Sequence, residues 1–266
     1  MFEFFAQVYQ IFLLPVEIIA ILLITAIPLI FIYLFLRLSE NAFEQIGFDH
    51  WHATMATFGA TIGSLIDIPF TPGPVSSYPE WFTPLLGSSY PTTFHPVYLA
   101  VNIGGCLIPM ALTAELLYHR RANPRKAGLG ILVVAIATYI FASPVAGQGI
   151  TLPFWISPLL AAIIGLTLAR KRDSSPGLAY ISGTIGTLLG ADIFNLITPG
   201  VLPALSPSNI TSTKPLVLSI GGAGVFDGIF LTGILAVFFA AGIVCLFHGS
   251  CEGLTMHRDR NRMIQR

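Results

Sequence analysis

The chain has 266 residues, 54% of them hydrophobic and 10% charged, and its thirteen basic and thirteen acidic side chains give a formal net charge of zero. With a mean hydropathy of +0.78, this balance excludes an ordinary soluble domain and leaves no basic surface for nucleic acid. Residues 1–266 therefore read as one all-α integral membrane domain.

A helix needs about 20 apolar residues to cross a bilayer. On that scale seven spans are expected, near 11 to 37, 53 to 70, 95 to 118, 127 to 147, 153 to 169, 177 to 197 and 216 to 247. The opening segment MFEFFAQVYQIF has no positive stretch, and the apolar run after it is too long for a signal peptide, so span 1 is expected to stay in the mature chain. Residues 38 to 52 suggest a short amphipathic helix along the membrane surface, and His50 and His52, flanking Trp51, read as interfacial residues. No metal or cofactor is implied. Residues 71 to 94, rich in proline, glycine and aromatics, suit either an irregular lid anchored by Trp81 or a passive connection.

Twelve of the thirteen Lys and Arg residues fall on one side of this layout. Arg37, Arg120, Arg121, Arg125, Lys126, Arg170, Lys171 and Arg172 lie in loops that share a face with the arginines of the tail at 248–266, and only Lys214 is opposite. Cytoplasmic loops are enriched in Lys and Arg, so the N-terminus is expected outside and the C-terminus in the cytoplasm of a multi-pass membrane protein, of prokaryotic cell-membrane type. The outer Asn209-Ile210-Thr211 sequon agrees with that orientation. Cys106, Cys245 and Cys251 lie in spans or at the cytoplasmic end, which implies no disulfide framework.

An internal repeat is legible. Thr61-Ile62-Gly63-Ser64-Leu65 with Asp67 in span 2 matches Thr184-Ile185-Gly186-Thr187-Leu188 with Asp192 in span 6. Asn102-Ile103-Gly104-Gly105 in span 3 matches Ser219-Ile220-Gly221-Gly222 in span 7. Both halves run the same way, 1–118 and 153–247, with span 4 (127–147) as linker. This three, one, three plan resembles the layout of sugar transporters built from two parallel three-helix bundles, whose substrate site lies between the bundles.

The polar residues inside the spans share a depth. Glu17, Asp67, Asn102, Asp192, Asn195 and Asp227 all fall towards the outer side, where an ionised carboxylate facing lipid costs about 2.5 to 3.5 kcal/mol. They are expected to face a protein interior or a watery cavity, holding a cation or sharing protons. Asp192 and Asn195 fall on one helical face, and Asp227 follows Gly221, Gly222 and Gly224, a glycine-rich break in an overlong span that offers backbone ligands. Asp67 before Pro69 and a shallow Glu17 also read as helix-end residues at the headgroups.

GTIGTLLGADIFNL, SIGGAGVFDGIFLTGILAVFF and NIGGCLIP resemble an uncharacterised family of archaeal and bacterial membrane proteins, a domain of unknown function. The resemblance implies that Asp192, Asn195, Gly221, Gly222, Gly224, Asp227 and Gly228 lie in signature segments, and it implies no activity. Paired membrane aspartates near Gly222-Ala223-Gly224 also resemble the presenilin and signal-peptidase-peptidase class of diaspartyl proteases. Here, however, Val225 and Phe226 separate that glycine motif from Asp227, and Pro203-Ala204-Leu205 precedes the second aspartate.

Three functions are ranked from these readings. The first is a proton- or cation-coupled small-solute transporter, with Asp192 and Asp227 as proton or cation sites, and with Asn102 and Asn195 orienting the solute. The alternative is a diaspartyl intramembrane hydrolase using Asp192 and Asp227, and a non-catalytic scaffold is third. The partners expected are the lipid bilayer and a small solute or cation, with homo-oligomerisation left open.

Overall fold

The computed structural model describes residues 2–79, 93–119, 122–169, 174–206, 215–222 and 228–248, with side chains from residue 18 to residue 246 within them. The helix α1 runs over Phe2–Gln45 and α2 over His50–Gly63. Strands β1 (Asp67–Pro69), β2 (Val75–Ser77) and β3 (Thr93–Asn102) follow. Helix α3 opens as a π-helical stretch, Ile103–Leu107, and continues as Ile108–Tyr118. Next come α4 (Pro124–Phe141), the hairpin β4 (Ser143–Val145) and β5 (Gly149–Thr151), and α5 (Ile156–Leu168). Helix α6 spans Ser175–Ile197 with a π-helical stretch at Leu188–Phe194. Short α7 (Val201–Leu205), β6 (Leu216–Ile220) and α8 (Gly228–His248) complete the order.

Four of these helices are long and apolar enough to cross a membrane: Ile18–Gln45 of α1, α4, α6, and Gly228–Leu246 of α8. Their surroundings differ sharply. Of the most apolar window in α1 only 6% is buried, against 72% in α6. Ile21, Leu22, Ile24, Leu29 and Phe31 of α1 are all exposed, as expected of a helix whose solvent is lipid. Helix α6 is the hub, packed by α4, α5 and α8. Small residues allow this: a Cβ on Gly186 would lie 2.6 Å from Val134 of α4, and one on Gly190 would lie 2.1 Å from the Ala135 carbonyl oxygen. Helix α4 starts where Asn123 Oδ1 accepts the Arg125 N–H at 3.1 Å and Pro124 takes the first helical position.

The three remaining expected crossings are only partly helical. Helices α2, α3 and α5 are shorter than the α1, α4, α6 and α8 segments; α5, with 13 residues, rises about 20 Å at 1.5 Å per residue. In spans 2, 3 and 7 part of the length is strand. β3 is central to a four-stranded sheet, antiparallel to β1 (Asp67 opposite Asn102) and to β2 (Val75 opposite Val97). It is parallel to β6, with Ala100 opposite Ser219 and Val101 opposite Ile220. This corrects the all-α expectation, because the apolar run of β3 has the composition of a buried helix and only its cross-chain pairing fixes it as a strand. Tyr78, Phe94, Val97, Leu202, Leu205 and Leu218 form a small core beneath the sheet.

The expected surface helix over 38 to 52 is instead divided. Helix α1 continues to Gln45, because nothing breaks it before Gly47, whose φ of 100° suits glycine, and α2 begins at His50. Cys106 is buried, whereas Cys245 is disulfide-bonded, so the expectation of no disulfide fails at the end of α8. Trp81, the sequon at 209–211, Lys214, Gly224, Asp227 and the basic tail lie outside the described residues, as does the side chain of Glu17.

Candidate functional site

At the junction of β6 with the residues leading to α8, Gly221 has a φ of 77°, a left-handed conformation that turns the chain. Its N–H points into the protein and donates to Asp192 Oδ2 at 2.6 Å. Asp192 sits in the π-helical part of α6, where the wider turn displaces side chains from α-helical phase. Two residues back along the chain, Ser219 Oγ donates to Asp67 Oδ1 at 2.5 Å. Two carboxylates from distant parts of the sequence therefore hold two positions of one turn.

Asp67 is held in turn. Asn102 Nδ2 donates to Asp67 Oδ1 at 2.9 Å and to the Ser64 carbonyl at 2.9 Å, while Asn102 Oδ1 accepts the Gly105 N–H at 2.9 Å. With 1% of its surface exposed, Asn102 has both ends of its amide engaged and cannot swing. It caps the π-helical start of α3 and fixes the aspartate beside it. Asp67 itself is exposed, so its carboxylate opens to the surroundings while Asp192 is set deeper.

Glycines bring these strands and helices to van der Waals range. A Cβ on Gly104 would lie 2.1 Å from the Ala60 carbonyl, and one on Gly221 would lie 2.7 Å from Cys106 N. A Cβ on Gly222 would lie 2.6 Å from Ser219 Cβ and 3.3 Å from Asp67 Oδ1. Backbone meets backbone, and no larger residue fits without displacement.

Five of the expected site residues thus gather in one place: Asp67, Asn102, Asp192, Gly221 and Gly222. Asn195 stands apart. It is buried on α6 and its Nδ2 donates to the Gly190 carbonyl at 3.0 Å, supporting the π-helical stretch. Nearby, Tyr139 Oη lies 3.0 Å from Thr198 Oγ1 and the Tyr139 ring packs on Phe194, which steadies the same end of α6. Ser219, absent from the expected site, belongs to it; its signal was the match of Ser219-Ile220-Gly221-Gly222 to Asn102-Ile103-Gly104-Gly105, which put a hydrogen-bonding side chain first in both strings. Among the described residues no group of three or more His, Cys, Asp or Glu side chains is placed to hold a metal ion.

Four helices long and apolar enough to cross a bilayer mark a helical integral membrane protein. Residues 61–239 match the model of the family described as "protein of unknown function (DUF1614)", and the chain belongs to that family. The matched region contains every gathered residue, from Asp67 to Gly222, and leaves out the whole of α1. No curated protein and no solved structure matches the chain.

Proposed function

We propose that the protein moves a small solute or cation across the membrane, coupled to a change of protonation or cation occupancy at its aspartates. The observation that carries this reading is the convergence of Asp67 and Asp192 on one turn, Ser219 to Gly222. A carboxylate accepting an N–H or O–H binds more tightly when ionised. Loading Asp192 with a proton, or drawing either carboxylate to a cation, weakens its bond to the turn and frees the segment that leads into α8. Such a turn joins site occupancy to helix position, as coupled transport requires.

In this reading the chain crosses seven times, N-terminus outside and C-terminus cytoplasmic, and strand segments complete the crossings of α2, α3 and α8. Irregular backbone at membrane depth is tolerated where it is buried in protein or lines a cavity. The two halves descend from a parallel repeat with α4 as linker, a reading supported by the parallel pairing of β3 with β6. Asp67 and Asp192 face an outward-opening cavity. Asn102 sets the orientation of Asp67, and Asn195 that of the α6 terminus.

The test is proton and cation flux in proteoliposomes. Wild type is expected to conduct, and Asp192→Asn and Asp67→Asn are each expected to lose at least tenfold of the flux while remaining folded. Equal flux in wild type and both variants overturns the reading, and peptide cleavage abolished by Asp192→Ala would favour the hydrolase.

A further inference from the structure

Asn195 lies outside the gathered residues, yet its bonds bracket one of them. It is buried, 4% exposed, and follows directly on the π-helical stretch of α6 that carries Asp192. Its side-chain Nδ2 donates to the Gly190 carbonyl at 3.0 Å, and its backbone N–H donates to the Asp192 carbonyl. In a regular π-helical ladder a carbonyl takes the N–H five residues on, which for Gly190 is that of Asn195 itself. Here that N–H has turned to Asp192, and the side chain of the same residue takes its place. One residue thus closes a loop from Gly190 to Asn195 with Asp192 inside it.

The near end of that loop is fixed. A Cβ on Gly190 would lie 2.1 Å both from the Ala135 carbonyl oxygen and from Thr138 Oγ1, so α4 touches the α6 backbone there. Thr138 Oγ1 is itself committed, donating to the Val134 carbonyl at 2.9 Å. The carboxylate inside the loop reaches the turn, because Asp192 Oδ2 accepts the Gly221 N–H at 2.6 Å. Gly221 is hemmed in by α3 as well, where its Cβ would lie 2.7 Å from Cys106 N. Helical phase decides whether these contacts coincide. An α-helix advances about 100° per residue, so a slip of the π-helical stretch by one residue turns the side chains it carries by about that angle. A carboxylate turned so far leaves the Gly221 N–H.

We propose that Asn195 is a positioning residue for Asp192: its amide latches α6 in the π-helical register that aims the carboxylate at Gly221. The Gly190 carbonyl is met from beyond Asp192 by a short side chain that donates without adding a charge. The inference rests on the same aspartate as the transport reading, but it is read at the turn and not from flux.

The test is amide hydrogen exchange at Gly221 and Gly105 of the full chain in lipid nanodiscs at neutral pH, in wild type and in Asn195→Leu, which removes the donor and keeps a similar volume. Asn195→Leu is expected to lower Gly221 protection about tenfold and to leave Gly105, whose N–H is held by Asn102, unchanged. Placed on Asp192→Ala, which has no carboxylate to aim, it is expected to add no further loss at Gly221. Unchanged Gly221 protection in Asn195→Leu, an equal loss at both glycines, or full additivity on Asp192→Ala each overturns the proposal; the last two are what a buried amide with a purely structural role produces. If Asn195→Leu does not fold, Asn195→Ala removes the same donor without crowding and gives the same comparison. Absent flux in a protein that shows the expected exchange pattern removes the transport reading and keeps the latch, whereas intact flux with unchanged exchange removes the latch alone.

Discussion

Asn102-Ile103-Gly104-Gly105 and Ser219-Ile220-Gly221-Gly222 perform the same task, ending parallel strands β3 and β6 and turning the chain towards a membrane helix, but they are closed by different means. The first is closed by its own side chain: Asn102 is buried, accepts the Gly105 N–H three residues on, donates to the Ser64 carbonyl 38 residues back, and leads straight into the π-helical start of α3 without a positive φ. The second is closed from outside, because its left-handed Gly221 gives its N–H to a carboxylate of another element, Asp192 of α6. A junction sealed by its own amide is a fixed support, whereas one sealed by a remote carboxylate changes with the state of that carboxylate. Asp67 Oδ1 ties the two together by accepting from both Asn102 and Ser219.

The largest expected effect breaks the fixed junction. Gly104→Ala drives a methyl group into the Ala60 carbonyl, and a loss of about 3 kcal/mol or more is expected, read as lost folded yield or a collapse in Tm. Asn102→Ala comes next: it leaves the Gly105 N–H and the Ser64 carbonyl unmet, for about 2 to 4 kcal/mol in denaturant titration. At the second junction, Asp192→Ala is expected to cost about 1 to 3 kcal/mol by orphaning the Gly221 N–H, whereas Asp192→Asn keeps an acceptor and most of the stability but not the flux. Ser219→Ala removes one of two donors on Asp67 and is expected to cost about 1 kcal/mol. A larger loss from Asp192→Ala than from Asn102→Ala would reverse the comparison.

The smallest effect concerns the sheet that carries both junctions. Burial raises the Tyr78 phenol above its ordinary range, against bonds from the Gly200 and Leu202 backbone that lower it. The neutral phenol is therefore the form the fold favours. Its contribution is fully present below the ordinary tyrosine pKa of about 10 and is lost as pH rises through the folded value. Tyr78→Phe is expected to flatten that alkaline decline in Tm, and an unchanged slope would remove Tyr78 from the sheet's stability.

The helices were legible because their apolar runs are long and end at clear signals, such as Asn123-Pro124 before α4. The strands were not. Val97 to Val101 is uniformly apolar, which fits a buried strand and a buried helix equally, and its partners lie over 100 residues away in β6. Asp67, Asn102 and Asp192 were found from their shared depth, but depth does not say which side chains meet. That followed from the glycines at 104, 221 and 222, which set how closely the backbones approach. Ser219 was passed over because a serine beside glycines reads as a break, and its role appears only once Asp67 stands opposite.

The most direct measurement is amide hydrogen exchange at Gly221 in lipid nanodiscs across a pH series, in wild type and Asp192→Asn, corrected for intrinsic exchange. If the Asp192 carboxylate governs the turn, protection in wild type will fall as the medium is acidified, and the variant, whose amide acceptor does not titrate, will show pH-independent protection below the wild-type value at neutral pH. Equal, pH-independent protection in both would show that the turn is held without the carboxylate and would contradict the account.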